Sequence, residues 1–253
     1  MIIEQFSLQG KVAIVTGCSR GLGQGMAIAL AEAGADILGV DYMAAPETKE
    51  KVEAIGKKFH HIEANLMSID KLEDIVKEAV SVYGHVDLLV NNAGIIRRED
   101  AINFSEKDWD DVMDINVKTV FFFSQAVAKQ YIAQGTGGKI INIASMLSFQ
   151  GGVRVPSYTA SKSGVMGITR LMANEWAKHN INVNAIAPGY MATDNTAALR
   201  SDEQRSADIL GRIPAERWGL PEDLMGPIVF LASKASDYVN GYTLAVDGGW
   251  LAR

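Results

Sequence analysis

Strand-like runs at Lys11–Gly17, Ala35–Val40, Phe59–Ala64, Val86–Val90, Lys139–Ala144, Asn182–Ala187 and Tyr242–Val246 are separated mostly by helical segments such as Leu22–Ala33, Ser68–Val82 and Trp109–Gln134. Parallel strands cannot be joined by a tight turn, so each needs a crossover, and a helix is the usual one. The alternation therefore predicts an α/β fold: a doubly wound parallel sheet of about seven strands with helices on both faces. A hydrophobic content of 48% suits strands buried on both sides. The 253 residues are long for one domain, yet no stretch rich in Pro, Ser or charge reads as a linker, so residues 1–253 are expected to form a single domain.

In open sheets of this kind a ligand binds beyond the carboxyl ends of the strands, where strand order reverses. The first strand runs into a glycine turn, Cys18 to Gly21, and an apolar helix closed by Gly34. Gly17, Gly21 and Gly23 would let the backbone turn sharply and approach a pyrophosphate, whose charge then faces the unpaired amides of the helix start. A third glycine is absent, and Met26 stands where it would sit. The second strand ends in Asp41, 20 residues after Gly21, where an acid usually accepts hydrogen bonds from the adenosine ribose. A carboxylate there repels a 2'-phosphate, which favours NAD over NADP. Arg20 pulls the other way, since its guanidinium could pair with such a phosphate or with the pyrophosphate. Asp41 could also serve only as a turn cap.

Other residues that follow strands are small and polar: Asn65-Leu66, Asn91-Asn92-Ala93-Gly94, Ser145 and Pro188-Gly189. Each alone reads as a turn signal, but so many together with the glycine loop point to one site. Tyr158 and Lys162, spaced by four, share a helix face. An ammonium ~4 Å from a phenol could supply about 4 kcal/mol toward its ionisation, most of what proton exchange near neutrality requires.

The single Cys18 excludes an internal disulfide, and His60, His61, His85 and His179 are too scattered to suggest a metal site. His60-His61 reads as a strand pair. A net charge of -6 argues against nucleic acid as a partner. No apolar run approaches the ~20 residues of a membrane helix, and the N-terminus lacks a signal pattern, so a cytoplasmic location with no membrane partner is expected.

With Thr16-Gly-x-x-x-Gly21-x-Gly23, Asn91-Asn-Ala-Gly94, Asn116, Ser145, Tyr158-x-x-x-Lys162 and Pro188-Gly189 in order, the sequence resembles the short-chain dehydrogenase/reductase family over nearly its whole length. The resemblance implies a Rossmann-type fold and a catalytic tetrad of Asn116, Ser145, Tyr158 and Lys162. Tyr158 would exchange a proton with the reacting oxygen, Ser145 would donate a hydrogen bond to it, and Lys162 would lower the phenol pKa and bind the nicotinamide ribose. Asn116, within Trp109–Gln134, would hold a water in a proton relay from Lys162. Without the other three it would read as an exposed helix-surface amide, and Ser145 as a helix cap.

The same resemblance lays NAD along Gly17, Ser19, Arg20, Gly21, Leu22, Gly23, Asp41, Asn65, Leu66, Asn92, Ala93, Gly94, Pro188, Gly189, Met191 and Thr193, together with Tyr158 and Lys162. Asn65 stands where the family often has Asp, and an amide still serves the adenine edge. The region of about residues 190–215, chiefly Asp194 to Arg212 with Thr193 or Ser201 as helix caps, would be a substrate lid.

More narrowly, Arg97-Arg-Glu-Asp100, Ile143 to Gln150, Arg154 to Tyr158 and Asp247 to Arg253 are similar to the family members that act on keto-deoxy sugar acids in pectin and uronate breakdown. Such a substrate needs a cation for its carboxylate and several donors for its hydroxyls. Arg154 is the leading candidate, with Gln150 as an amide donor beside Ser145 and Tyr158, and Arg97 and Arg98 come second. Any of these arginines could instead be a surface or interface ion pair. The alternatives are a 3-oxoacyl carrier-protein reductase, disfavoured by Asp41 and the acidic charge, and a catalytically silent NAD-binding sensor. Relatives form homotetramers through the two long helices beside the site, and the apolar Val117–Phe123 and Val165–Trp176 stretches are compatible with that.

Overall fold

The computed structural model describes Met1–Arg253 and contains a single seven-stranded sheet. Its strands are β1 (Val12–Thr16), β2 (Asp36–Asp41), β3 (Phe59–Glu63), β4 (Leu88–Asn91), β5 (Gly138–Ile143), β6 (Ile181–Pro188) and β7 (Thr243–Val246). The helices are α1 (Gly21–Glu32), α2 (Pro46–Ala54), α3 (Leu72–Tyr83), α4 (Glu106–Met113), α5 (Thr119–Gln134), α6 (Pro156–Trp176), α7 (Ala197–Ser201), α8 (Glu203–Leu210) and α9 (Met225–Ala232). All neighbours pair in parallel, in the order β3-β2-β1-β4-β5-β6-β7. The order reverses between β1 and β4, so the crevice expected to take a ligand lies at their carboxyl ends.

The alternating pleat distributes each strand between two cores. In β1, Ala13 and Val15 face the layer of α1 and α9, where Met26, Leu30, Ile228 and Leu231 are buried, while Ile14 faces the layer of α3, α5 and α6 with Phe123, Val127, Tyr131 and Met172. This two-faced burial explains why the strands read as continuous apolar runs.

The helical run expected over Trp109–Gln134 is not one regular helix. Ser105 caps α4 by accepting from the Asp108 amide, and between α4 and α5 the turn Asp114–Lys118 widens into a π-helix. A π turn carries one extra residue in a turn and is frequent at functional sites. Here it holds Asn116, which is fully buried. Helix α6 starts at Pro156, in the first turn, where a missing N–H costs nothing.

No helix is long and apolar enough to cross a membrane.

Candidate active site

A cleft of about 350 Å³ opens at the carboxyl ends of β1 and β4. Its walls include Gly17, Ser19, Arg20, Gly21, Leu22, Gly23, Asp41, Asn65, Leu66, Asn92, Ala93, Gly94, Tyr158, Lys162 and Thr193, so most of the sequence-predicted site residues converge there. The loop after β1 fits a bound pyrophosphate. Gly17 takes a left-handed φ of 64°, and a Cβ on Gly23 would lie 2.0 Å from the Gly17 carbonyl oxygen. No side chain caps the first turn of α1, which leaves its amides for an anion.

Two residues tie this loop to the one after β4. Thr16 Oγ1 accepts from the amides of Asn92 and Ala93, both at 2.9 Å, and Asn92 Nδ2 donates to the carbonyls of Thr16 (2.9 Å) and Gly17 (3.0 Å). Sequence reasoning missed Thr16 as a positioning residue; its signal is a hydroxyl ending an otherwise aliphatic strand. It also missed Tyr42, Ile95, Asp194 and Asn195 as cleft walls. Asp41 is both cleft wall and turn cap: its carboxylate accepts from the amides of Ser19 (2.9 Å) and Met43 (3.2 Å).

Tyr158 and Lys162 lie on α6 and line this cleft. The Lys162 ammonium sits 5.6 Å from the centroid of the Tyr158 ring and donates to the Ile143 carbonyl at 2.6 Å, at the end of β5. Ser145 follows β5, accepts from the Leu147 amide at 3.2 Å and hydrogen-bonds the phenol of Tyr158. The expected acidification of the phenol by Lys162 is not what the structure gives. Burial pushes the Tyr158 pKa up, opposed by the Ser145 hydrogen bond and the positive charge of Arg98. Burial also pushes Lys162 down to about 8. The physical reason is desolvation, which disfavours both charged forms and outweighs attraction at this separation.

Asn116 is no exposed surface amide. Its Oδ1 accepts from the Ile95 amide at 2.9 Å, and its Nδ2 donates to the Ile95 carbonyl (3.0 Å) and to Ser161 Oγ (3.1 Å). It thereby fastens the loop after β4 to α6.

Several expected ligand contacts are displaced. Arg154 does not line the cleft; in a left-handed conformation of φ 62°, it pairs with Asp100 at 3.0 Å and with Glu99 at 3.5 Å. Gln150 is also outside the cleft wall, with its Oε1 accepting from Trp250 Nε1 at 3.2 Å. Of the arginines, Arg97 lines the cleft but is paired with Asp108 and Asp111, whereas the Arg98 charge acts on Tyr158.

Pro188, Gly189 and Met191 stand behind the wall. A Cβ on Gly189 would meet the Asp247 Cα at 2.7 Å, so that glycine serves the close approach of the chain after β7, and Met191 is buried against Gly219. Thr193 stands at the N-cap position of the turn Asp194–Thr196 without a side-chain capping bond, its amide donating to Thr196 Oγ1 at 3.2 Å, and Asp202 rather than Ser201 caps α8, accepting from the Arg205 amide at 3.0 Å. Asp202 offers a carboxylate at the positive helix end, which a serine cannot.

A family model described as short chain dehydrogenase matches residues 11–204, and the chain belongs to that family. It is a nicotinamide-dependent oxidoreductase acting on CH–OH groups. Two relatives named 2-dehydro-3-deoxy-D-gluconate 5-dehydrogenase, from Escherichia coli (strain K12) and Dickeya dadantii (strain 3937), are 73% and 71% identical over the full length of both chains. A solved structure from Agrobacterium tumefaciens, assigned as a 2-deoxy-D-gluconate 3-dehydrogenase and holding NADP, superposes with a TM-score of 0.93 at 53% identity over 98% of this chain and 99% of that one.

Proposed function

We propose that the protein transfers a hydride between NAD(H) and a keto-deoxy sugar acid, reducing 3-deoxy-D-glycero-2,5-hexodiulosonate to 2-dehydro-3-deoxy-D-gluconate in uronate breakdown. The observation that carries this reading is that Tyr158 and Lys162 line the same cleft as the glycine loop, with the Tyr158 phenol hydrogen-bonded to Ser145. The names of the full-length relatives support the substrate class.

When bound, the nicotinamide gives or takes the hydride. Tyr158, kept protonated by burial, gives its proton to the carbonyl oxygen that becomes the alcohol, and Ser145 hydrogen-bonds that same oxygen as charge builds on it. Lys162, anchored to the Ile143 carbonyl, would hold the nicotinamide ribose with its ammonium. Asn116 holds the two walls in register through Ile95 and Ser161. We assign the substrate carboxylate to Arg98 rather than Arg154, because Arg98 reaches the cleft-wall residue Asn195 and its charge is felt at Tyr158, whereas Arg154 is paired with Asp100 and Glu99 outside the cleft. Arg98 also donates to the Asn195 carbonyl at 3.0 Å, so the segment from Asp194 onward would close over the substrate from that side. Asp41 favours NAD by occupying the ribose position with a carboxylate. We place the enzyme in the cytoplasm as a homotetramer.

A panel of keto sugar acids, 3-oxoacyl thioesters and simple ketones, each with NADH and NADPH, tests the reading by absorbance at the nicotinamide band. The diketo sugar acid with NADH should give the highest kcat/KM. A preference for 3-oxoacyl thioesters with NADPH, or turnover of none of them, would overturn it.

A further inference from the structure

We infer that Asp194 is a cofactor-specificity residue: it holds Arg20 at the lid side of the cleft and so withholds the one cation that could receive a 2'-phosphate. The inference rests on the NAD reading above and supplies a second cause for it.

Arg20 precedes α1 in an extended conformation, and its guanidinium makes one ion pair, Nη1 to Asp194 Oδ2 at 2.9 Å. The pair crosses the cleft mouth from the glycine loop to the first residue of the lid segment, and both residues line the cleft. The other cations in the wall are committed elsewhere. Arg97 pairs with Asp108 and Asp111, and Lys162 is buried on the Ile143 carbonyl.

At the ribose end stand Asp41 and Tyr42. Asp41 already takes the Ser19 amide, so that donor is not free for a phosphate either. A phosphate monoester carrying about two negative charges would thus meet two carboxylates and no unpaired cation. NAD, with a ribose hydroxyl there, meets no such penalty. Removing the charge of Asp194 should release Arg20 to swing toward the ribose, where a guanidinium is the usual partner of a 2'-phosphate.

The test is a fluorescence titration of NADH and NADPH against the parent, Asp194→Asn, and the double variant Arg20→Ala with Asp194→Asn. Both side chains are more than half exposed, so folding should be retained. The expected result is NADPH binding tightened about five- to tenfold in Asp194→Asn, a gain that shrinks at high salt, while NADH binding shifts by less than about twofold. The double variant should lose the gain. Unchanged NADPH binding in Asp194→Asn, or a gain that survives without Arg20, would overturn the inference while leaving the NAD reading intact. A parent that binds NADPH as tightly as NADH would sink both.

Discussion

Lys162 is a charge the fold would be more stable without. Burial lowers its pKa to about 8 from the ordinary 10.5, a depression that corresponds to about 3 kcal/mol of cost for carrying the proton in the folded state. The cost is complete below pH 8, shrinks as pH rises toward the ordinary lysine range, and vanishes above it, because there folded and unfolded chains both hold a neutral amine. Lys162→Met should therefore raise the thermal midpoint by several degrees at pH 7, with the advantage closing between about pH 8 and 10.5, and should abolish turnover. Calorimetry across that range checks it, and a methionine variant no more stable than the parent at pH 7 would contradict it.

The arginines give the complementary lesson. Arg98→Ala should raise KM for the sugar acid by at least about tenfold, as expected for a lost charge-assisted contact, while Arg154→Ala should change KM by less than about threefold, its partners Asp100 and Glu99 being exposed. Steady-state kinetics on the pair decides between them. The four-residue spacing made Tyr158 and Lys162 legible in the sequence. The choice between Arg98 and Arg154 was not legible, because it turns on which carboxylates the fold brings beside each.

At the scale of elements, the strand, glycine loop and helix at the N-terminus were read nearly to the residue because every local signal agreed there. A Cβ on Gly23 would lie 2.0 Å from the Gly17 carbonyl oxygen and 2.5 Å from Asn92 Nδ2, so the loop cannot admit it without moving. Gly23→Ala should weaken NADH binding by at least about tenfold and lower the thermal midpoint. Gly226→Ala, at an exposed position of α9 with open space around it, should leave binding alone and stabilise by about 0.5 kcal/mol. Equal effects of the two in titration and melting would show that the loop is not the constrained element.

The π turn at Asp114–Lys118 escaped the sequence because one extra residue within a long helix barely disturbs its periodicity. Asn116 was found only by its place in the family pattern, and its bonds to Ile95 and Ser161 show what the wider turn achieves.

For the whole molecule, alternation of strands and helices foretold a parallel sheet covered on both sides. It did not foretell the pairing order, since register between distant strands depends on packing that no local window contains. That order brings the loops after β1, β4 and β5 to one end of the sheet and so assembles a site from residues spread over most of the chain. Phe122 on α5 and Leu171 on α6 remain partly exposed, in keeping with the proposed assembly through these helices. Light scattering should give the mass of four chains, and a monomer mass at micromolar concentration would refute the tetramer.

The most direct measurement is turnover of the diketo sugar acid with NADH by Tyr158→Phe, alongside the NADH dissociation constant of the same variant. Removing only the hydroxyl should abolish nearly all turnover and leave NADH binding within severalfold of the parent. Substantial turnover by the phenylalanine variant would contradict the role of that phenol as the proton donor.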